Sequence, residues 1–292
     1  MPTLPATDIR RLVRLGLLED LEQGDATTSA LFPAPLPARA CIVAQQPLVV
    51  AGMAAAVQTF LAVDGRLQLS VSRRDGQPAK SGETLLEIEG DGRSILMAER
   101  VALNFLQHLS GIATLTRRFC EAVKPYPVQI LDTRKTLPGW RTLQKWAVAL
   151  GGGVNHRLSL GDGILIKDNH LVLLNKKRQV VQDAVQQARR RAAIRSAIIV
   201  EVESLPQVRE ALAVHADIIL LDNMTLAMVK RAVKLIKRRA LVEVSGGVTL
   251  KNVRAMAAAG PDRISVGALT HSAPAAMISL DLLPRASRRR DS

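Results

Sequence analysis

The stretch from residue 151 to residue 170 concentrates groups that bind anions. It reads GGGVNHRLSLGDGILIKDNH and holds five glycines, two of the chain's five histidines, one arginine, one lysine and two aspartates around the apolar run ILI. A buried strand would avoid these polar groups, and a solvent loop would not need ILI. We therefore expect cationic side chains at the edge of a buried element, where they would bind a negatively charged ligand.

Carboxylates in the later apolar runs follow a period of two. In IIVEVES, Glu201 and Glu203 share one face of an extended chain, and the same arrangement recurs in three further runs. Those runs contain Leu220 with Asp222, Glu243 with Ser245, and Ser265 with Gly267. Carboxylates on an inward face are costly unless they are paired or hydrated, so a basic, ligand-filled opening would explain them. A structural polar layer is the alternative for Glu203 and Glu243.

The elements that must position these groups are strands that alternate with helices. From residue 128 onward, seven short apolar runs each end in polar residues or glycine, and helical patterns lie between the later runs. The seven runs are VQILDTRKT, GGVNHR, GILIKDN, IIVEVES, DIILLDN, LVEVSGG and RISVGA. This order predicts βαβ units with parallel strands. Seven such strands favour a barrel, in which the active site lies at the carboxyl ends of the strands.

The first part of the chain has a different pattern. A helix is predicted from about Asp8, and the alternation of apolar and polar residues between 67 and 71 is typical of antiparallel sheet. A long helical stretch follows from about 94 to 123. The Ser-Gly pair at 110–111 is expected to divide this stretch into two helices.

Length and composition indicate a globular protein. The chain has 292 residues, of which 48% are hydrophobic, enough for a sizeable core. No apolar run approaches the roughly 18 residues of a membrane span, and charge enters every turn of the N-terminal stretch, so a cytoplasmic location is expected. Cys41 and Cys120 lack metal-ligand spacing and are expected to be free thiols.

The strongest compositional signal is a formal net charge of +14. Such a charge suits nucleic acid, a membrane surface or small anionic substrates. The basic runs at 176–178, 189–191, 237–239 and 288–290 are dispersed, as on solvated helix faces and a terminal tail. Two Trp, one Tyr and four Phe leave few stacking surfaces for single-stranded nucleic acid. Nucleic-acid binding therefore stays as an alternative of a different class.

Eight motifs in this order resemble the quinolinate phosphoribosyltransferase family, the nicotinate-nucleotide pyrophosphorylases. They are EDLEQGDATTSALFP, ERVALNFLQHLSGIATLT, DTRKTLPGWR, GGGVNHRLSLGDGILIKDNH, EVES, LDN, EVSGG and ISVGALTHS. Each fragment is weak evidence alone, but the set covers nearly the whole chain. Leu137 stands where many members have threonine.

The resemblance implies an α/β protein of two domains. The first is an N-terminal α/β sandwich, expected over 1–112 and joined by the C-terminal segment 272–292. The second is an incomplete seven-stranded parallel α/β barrel, expected over 113–271. A homodimer is also implied, with one subunit's N-terminal domain closing over the partner's barrel; a higher oligomer stays open.

The implied reaction joins quinolinate to phosphoribosyl pyrophosphate and gives nicotinate mononucleotide, pyrophosphate and carbon dioxide. Planar bidentate donors suit the two carboxylates of quinolinate. The positions that match the family's quinolinate-binding residues are Arg134, Lys135, His156, Arg157 and Lys167, together with Arg100 from the neighbouring subunit. For Arg100 alone, a surface ion pair would be the ordinary interpretation; for His156 alone, it would be a structural hydrogen bond.

The resemblance also assigns the phosphoribosyl donor and the catalytic groups. Glu201 and Asp222 match positions near the ribose hydroxyls and magnesium, which would enter with the pyrophosphate; no organic cofactor is expected. A phosphate site is implied at Ser245, Gly246, Gly247 and Gly267, where glycine lets backbone N–H groups approach phosphate oxygens. Lys135 and Lys167 join the two carboxylates as expected catalytic residues.

Several points stay open from the sequence. In a straight strand, Arg134 and Lys135 point to opposite faces, so a bend is needed to bring both into one site. His170 could contact the substrate, support a neighbour or cap the strand end. A related type II phosphoribosyltransferase acting on another pyridine or base, and a barrel scaffold without activity, are further alternatives.

Overall fold

A computed structural model of the chain describes residues 3–174, 180–191 and 197–283. Its contacts divide the chain into two compact units. The first consists of Met1–Arg117, Leu137–Gly152 and Ala273–Ser292, and the second of Arg118–Thr136 and Gly153–Ser272. The domain boundaries expected at 112 and 271 stay predictions. The sequence did not predict that Leu137–Gly152 would belong to the first unit. The basic runs at 176–178 and 288–290 lie outside the described residues.

The first unit combines an antiparallel sheet with helices. Its helices are α1 (Ala6–Leu21), α2 (Ala26–Leu31), α3 (Met53–Val63), α4 (Gly92–Ala122, which continues into the second unit) and α5 (Arg141–Leu150). Its strands are β1 (Pro37–Ala44), β2 (Leu48–Val49), β3 (Gln68–Val71), β4 (Pro78–Ala79), β5 (Thr84–Asp91) and β12 (Ile278–Leu283). The main sheet has the order β12-β1-β5-β3, with every pair antiparallel, and β2 pairs with β4. The antiparallel sheet predicted near residues 67–71 is therefore confirmed.

Alternation along the sheet builds the core of the first unit. In β1, Ala40, Ile42 and Ala44 are buried while the residues between them are more exposed, as expected for a sheet with one face on a core. Their buried side chains pack in one cluster with Phe60 of α3 and Leu106 of α4. The hydrophobic effect is the main force that holds this sheet to its helices.

The prediction that the Ser-Gly pair at 110–111 divides the long helix was wrong, because α4 runs unbroken from Gly92 to Ala122. The two residues instead serve close packing. Ser110 Oγ donates to the carbonyl oxygen of Ala51 and accepts from its N–H, each at 3.0 Å. At Gly111 a Cβ would lie 2.1 Å from the carbonyl oxygen of Pro274, so the backbones can meet only without a side chain there.

The second unit contains a parallel sheet. Its strands are β6 (Gln129–Leu131), β7 (Ile164–Ile166), β8 (Ile198–Val202), β9 (Ile218–Asp222), β10 (Leu241–Ser245) and β11 (Arg263–Ser265). The helices between and after them are α6 (Asp168–Leu173), α7 (Val180–Arg191), α8 (Leu205–Ala213), α9 (Leu226–Ile236), α10 (Val253–Ala258) and α11 (Ala268–His271). The strand order is β6-β11-β10-β9-β8-β7, and all pairs are parallel.

The predicted seventh strand, GGVNHR, is reduced to a single parallel bridge between Leu131 and Val154. This bridge continues the sheet beyond β6, and no pairing between it and β7 is found among the described residues. The predicted fold class, an incomplete α/β barrel with an N-terminal sheet domain, is confirmed. Glycines at 151–153, followed by Val154 as the one apolar residue before Asn155, explain why little of this segment joins the sheet.

Local signals place the helices that follow the strands. Ser204 accepts from the backbone N–H of Gln207 at the start of α8, and Thr225 accepts from that of Met228 at the start of α9. Such caps satisfy backbone donors that a helix leaves unpaired. Among the described residues, no helix is long and apolar enough to cross a membrane.

Candidate active site

A cavity of about 630 Å³ opens in the second unit where the parallel strands end. Its wall contains the last residues of several strands and the loops that follow them. These residues are Thr133, Arg134, Lys135, His156, Arg157, Leu165, Lys167, Glu201, Leu220, Asp222, Asn223, Glu243, Ser245, Gly246, Gly247, Val248, Thr249, Ser265, Val266, Gly267, Ala268 and His271. The carboxyl ends of parallel strands are the expected position for an α/β-barrel site.

Arg134 and Lys135 both reach the cavity because β6 ends three residues before Arg134. The chain bends at Arg134, so the two side chains no longer alternate as they would in a strand. The bend that the sequence required is therefore present. Thr270 Oγ1 donates to the Lys135 carbonyl oxygen at 2.7 Å and holds the loop after the bend.

His156 and Arg157 follow the single bridge at Val154. The His156 backbone N–H donates to the buried carboxylate of Asp132 at 2.8 Å, and its ring Nδ1 accepts from the Arg157 N–H at 2.7 Å. Its Nε2 lies 3.2 Å from Glu243 Oε1, within hydrogen-bonding distance. Because Nδ1 accepts a hydrogen bond, the ring proton belongs on Nε2.

Two guanidinium groups make the cavity strongly electropositive. Burial and the neighbouring Arg134 charge lower the pKa of Arg157, while Asp162 partly offsets them. The Nε atoms of Arg134 and Arg157 are buried and have no hydrogen-bond partner among the described residues. Two like charges with unsatisfied donors are unfavourable together unless an anion binds between them.

Lys167 and Glu201 form an ion pair at the ends of neighbouring strands, with Nζ and Oε2 3.0 Å apart. Lys167 is about half exposed, whereas the Glu201 side chain is only 10% exposed. Burial raises the pKa of Glu201, Lys167 opposes that rise, and the charges of Asp222 and Asp168 add to it. Glu201 is thus a carboxylate whose charge depends on its cationic neighbours.

His170 caps the start of α6. Its Nδ1 accepts from the backbone N–H of Lys167 at 2.9 Å, which satisfies a donor at the helix start. His170 is exposed and is not part of the cavity wall. Of the open interpretations of this histidine, the cap agrees with the geometry, and it fixes the backbone from which Lys167 projects.

Asp222 and Asn223 end β9 beside the glycine loop. The Asn223 amide donates to Asp222 Oδ2 at 2.7 Å, and its backbone N–H donates to the Ser245 carbonyl oxygen at 2.9 Å. Asn223 has a left-handed φ of 51°, which asparagine tolerates better than most residues. A Cβ on Gly246 would lie 2.1 Å from Asn223 Oδ1, and Gly246 has a φ of +88°. Glycine at 246 is therefore required by both space and backbone conformation.

Two backbone segments that contain glycine border the cavity, and one of them, at Gly267, lies beside the Lys135 side chain. Residues 246–252 follow β10 and lead to α10, while Gly267 is the N-cap residue of α11, directly after β11. The Asn252 side chain closes the first loop by donating to the Gly247 carbonyl oxygen at 2.9 Å and accepting from the Thr249 N–H at 2.8 Å. An ordered loop with glycines at its start presents backbone N–H groups to a small anion.

The structure brings every predicted site residue of the second unit into one wall. These residues are Arg134, Lys135, His156, Arg157, Lys167, Glu201, Asp222, Ser245, Gly246, Gly247 and Gly267. Arg100 lies exposed on α4 in the first unit. Glu203 was expected on the inward face with Glu201, but it lies beyond the end of β8, is exposed and is not in the described wall. The period of two applies only while the chain stays extended.

Sequence reasoning did not assign roles to several wall residues. Thr133, Asn223 and His271 each lie within one of the motifs, and Thr249 lies two residues after EVSGG, so proximity to those motifs was the available signal. Glu243 was recognised only as an inward carboxylate. Glu243 lies on β10, far along the chain from His156, so no local sequence pattern predicts the contact between the two residues.

The carboxylates at the strand ends were tested as ligands for a divalent cation. No group of three or more His, Cys, Asp or Glu side chains arranged to hold a metal occurs in the described part of the chain. Asp222 lies close enough to raise the pKa of Glu201, and the two residues share the cavity wall. Two carboxylates without a full cage fit Mg²⁺, which keeps water and substrate oxygens among its ligands.

Fold and site together define a class of protein. An α/β barrel with cationic side chains, carboxylates and glycine segments at its strand ends is typical of an enzyme that acts on small molecules. Family models for the quinolinate phosphoribosyl transferase N-terminal and C-terminal domains match residues 25–110 and 112–281, respectively.

Individual relatives agree with these family models. The chain is 43% identical over 280 residues to the nicotinate-nucleotide pyrophosphorylase [carboxylating] of Mycobacterium leprae, covering 94% of this chain and 96% of the relative. It is 39% identical over 274 residues to a probable enzyme of the same name from Bacillus subtilis, covering 94% and 93%. The solved nicotinate-nucleotide pyrophosphorylase of Francisella tularensis matches with a TM-score of 0.89 and 35% identity, over 96% of this chain and 98% of that chain. The chain belongs to the quinolinate phosphoribosyltransferase family, whose members are pentosyltransferases of NAD biosynthesis.

Proposed function

We propose that this chain transfers the phosphoribosyl group of phosphoribosyl pyrophosphate to quinolinate and releases pyrophosphate and carbon dioxide, giving nicotinate mononucleotide. The observation that carries this proposal is a pair of partly buried arginines in the cavity wall, whose buried Nε atoms have no hydrogen-bond partner among the described residues. These donors, beside a glycine loop and two carboxylates, match an aromatic dicarboxylate and a phosphorylated sugar bound together.

Quinolinate would lie against the cationic side of the cavity. Arg134 and Arg157 would hold its carboxylates through planar, charge-assisted hydrogen bonds, and Lys135 and Lys167 would add further positive charge. The two arginines repel each other, and a bound anion offsets this repulsion. Because a dianion offsets it more than a monoanion does, quinolinate should bind more tightly than nicotinate. This side of the cavity therefore determines the substrate class.

Phosphoribosyl pyrophosphate would occupy the part of the cavity bordered by the glycine segments. Its 5′-phosphate would bind the backbone N–H groups near Gly246, Gly247 and Gly267, with Ser245 beside them. Glu201 and Asp222 would hold the ribose hydroxyls and the magnesium that accompanies the pyrophosphate. When bound, magnesium neutralises charge that develops on the departing pyrophosphate.

The transfer step requires stabilisation of opposite charges. As pyrophosphate leaves C1 of the ribose, the sugar becomes oxocarbenium-like and the pyridine nitrogen attacks it. Lys135 and the other cavity cations stabilise the departing anion, while ionised Glu201 and Asp222 stabilise the sugar. The pyridine nitrogen has no proton to lose, so no general base is assigned. The positive charge of the resulting ring then stabilises the carbanion left at C2 when the 2-carboxylate departs as carbon dioxide, and C2 takes a proton from water to complete nicotinate mononucleotide.

The active site is proposed to be shared in a homodimer. Arg100 is exposed on α4, away from any ion pair among the described contacts, and would contact quinolinate bound in the partner subunit's barrel. The barrel supplies four cationic side chains, Arg134, Lys135, Arg157 and Lys167, and the partner's Arg100 would be the fifth. Together they would offset the negative charge of the two bound substrates. The cytoplasmic location stays a prediction of the sequence.

Purified protein with quinolinate, phosphoribosyl pyrophosphate and magnesium tests the reaction. Nicotinate mononucleotide and carbon dioxide should form in equal amounts. Turnover with nicotinate or another pyridine, but none with quinolinate, would show that the substrate assignment is wrong. The nucleic-acid alternative predicts salt-sensitive binding to DNA or RNA without phosphoribosyl transfer. An inactive scaffold would tolerate replacement of Lys135, Arg157 and Lys167 without functional loss.

A further inference from the structure

Glu243 is a carboxylate that the proposed reaction does not use. It lies on β10 in the cavity wall, and its solvent exposure is 0%. Burying a carboxylate costs free energy unless hydrogen bonds and an opposite charge compensate. Its position near a cavity for anionic substrates makes this cost greater, since the carboxylate would repel them.

The contacts of Glu243 are asymmetric. Its Oε1 accepts from Ser265 Oγ and lies 3.2 Å from His156 Nε2. Its Oε2 is buried and has no hydrogen-bond partner among the described residues. Oε1 of Glu243 thus contacts two different segments of the chain: β11, through Ser265, and the segment after the Val154 bridge, through His156.

His156 transmits this contact to Arg157. With Nδ1 accepting from the Arg157 N–H, the ring can donate to Glu243 only from Nε2, so one tautomer satisfies both partners. The His156 backbone is held separately by the carboxylate of Asp132. Asp132 therefore holds the His156 backbone and Glu243 holds the His156 ring, directly before Arg157 in the chain. The Arg157 guanidinium is held as well, because its Nη1 donates to the Gly163 carbonyl oxygen at 3.2 Å.

We propose that Glu243 is a positioning residue, which holds His156 as the Nε2–H tautomer and thereby fixes Arg157 for binding of the substrate carboxylate. This inference rests on the proposed function for the role of Arg157. The tautomer itself is a property of the free protein, so it can be tested without any substrate.

The experiment compares Glu243→Leu, Glu243→Asp and Glu243→Gln with the unsubstituted protein. Two-bond 1H–15N correlation spectra of histidine-labelled protein report the tautomer, and a His156→Asn spectrum assigns its signals. The unsubstituted protein and Glu243→Gln, which keeps an acceptor at Oε1, should show the Nε2–H form. Glu243→Leu has no acceptor and Glu243→Asp is one methylene shorter, so in both the Nε2–H loses its partner. Both should show a mixture of the two tautomers, because the Arg157 N–H alone remains to favour the Nε2–H form.

The kinetic readout separates positioning from a general effect on stability. In Glu243→Leu and Glu243→Asp, KM for quinolinate should rise about 10- to 100-fold, with a smaller change in KM for phosphoribosyl pyrophosphate. Glu243→Gln should recover to within about tenfold of the unsubstituted kcat/KM. Exposed Glu203→Gln is the matched control and should leave both the tautomer and KM unchanged.

Three results would overturn the inference. The first is an unchanged His156 tautomer in both Glu243→Leu and Glu243→Asp. The second is an altered tautomer with an unchanged KM for quinolinate. The third is equal loss of activity in Glu243→Gln and Glu243→Leu. If Glu243→Leu does not fold, Glu243→Asp decides between the outcomes. An unsubstituted protein without quinolinate activity would contradict the proposed function and leave the tautomer measurement valid.

Discussion

Lys167 and Glu201 face each other across the β7–β8 pair, one residue beyond the strand positions Ile166 and Val200 that lie in register. Nζ and Oε2 are 3.0 Å apart. Parallel pairing thus places a lysine and a glutamate, 34 positions apart in the chain, at one point of the cavity wall. Lys167 favours the ionised form of this largely buried carboxylate, at the point where the sugar is proposed to become cationic.

Glu201→Gln should lower kcat by about 100-fold or more, since an electrostatic stabiliser of the proposed transition state is lost. It should also change the dependence of stability on pH. Burial raises the pKa of Glu201 in the folded state, so its ionisation disfavours folding as the pH rises through that pKa. The melting temperature of Glu201→Gln relative to the unsubstituted protein should therefore be higher at pH 8 than at pH 4. Differential scanning calorimetry at both values measures this difference, and a difference of the opposite sign would contradict the burial argument.

The shared site predicts complementation between two inactive proteins. Arg100→Ala and Lys167→Ala should each lose nearly all activity, because each removes a cation from every site. In a mixed dimer, one site would receive both unsubstituted residues, so mixing should restore up to about a quarter of the activity under random exchange. Subunit exchange is verified with two differently tagged forms. No recovery after proven exchange would rule out the shared site.

Gly246→Ala should damage the phosphate side of the cavity more than Gly247→Ala. Both glycines have positive φ, so alanine strains either backbone by about 1 kcal/mol. At 246, however, the new Cβ would also meet Asn223 Oδ1 at 2.1 Å, whereas nothing lies within 4 Å at 247. We expect a lower melting temperature for Gly246→Ala and a larger rise in KM for phosphoribosyl pyrophosphate. Equal melting temperatures for the two proteins would show that the Asn223 contact is not restrictive.

Gly111→Ala should destabilise the first unit by about 1–3 kcal/mol, because its Cβ would overlap the carbonyl oxygen of Pro274 at 2.1 Å. Helix propensity alone would favour alanine at this position in α4. Gly65→Ala is the control, since its nearest contact would be an ordinary 3.9 Å. Urea denaturation followed by circular dichroism gives both free energies of unfolding. A stabilised Gly111→Ala protein would mean that the two backbones move apart at little cost.

Much of the architecture could be read from local patterns. Alternation near residues 67–71 predicted antiparallel sheet, and repeated apolar runs separated by helical patterns predicted the parallel sheet, because both periods follow from backbone geometry. The same local pattern is misleading at Gly111, because this glycine does not end α4. There the deciding contact is with Pro274, which is 163 positions away in the chain.

Local sequence shows which residues stand at the strand ends, because each apolar run is followed directly by its polar groups. Their pairings arise in the folded chain: Lys167 with Glu201, His156 with Glu243, and Asn223 against Gly246. These contacts depend on strand register and on loops folded to within a few tenths of an ångström. The residues in each pair are 23 to 87 positions apart, and a linear pattern carries no information about which distant strand end becomes the neighbour.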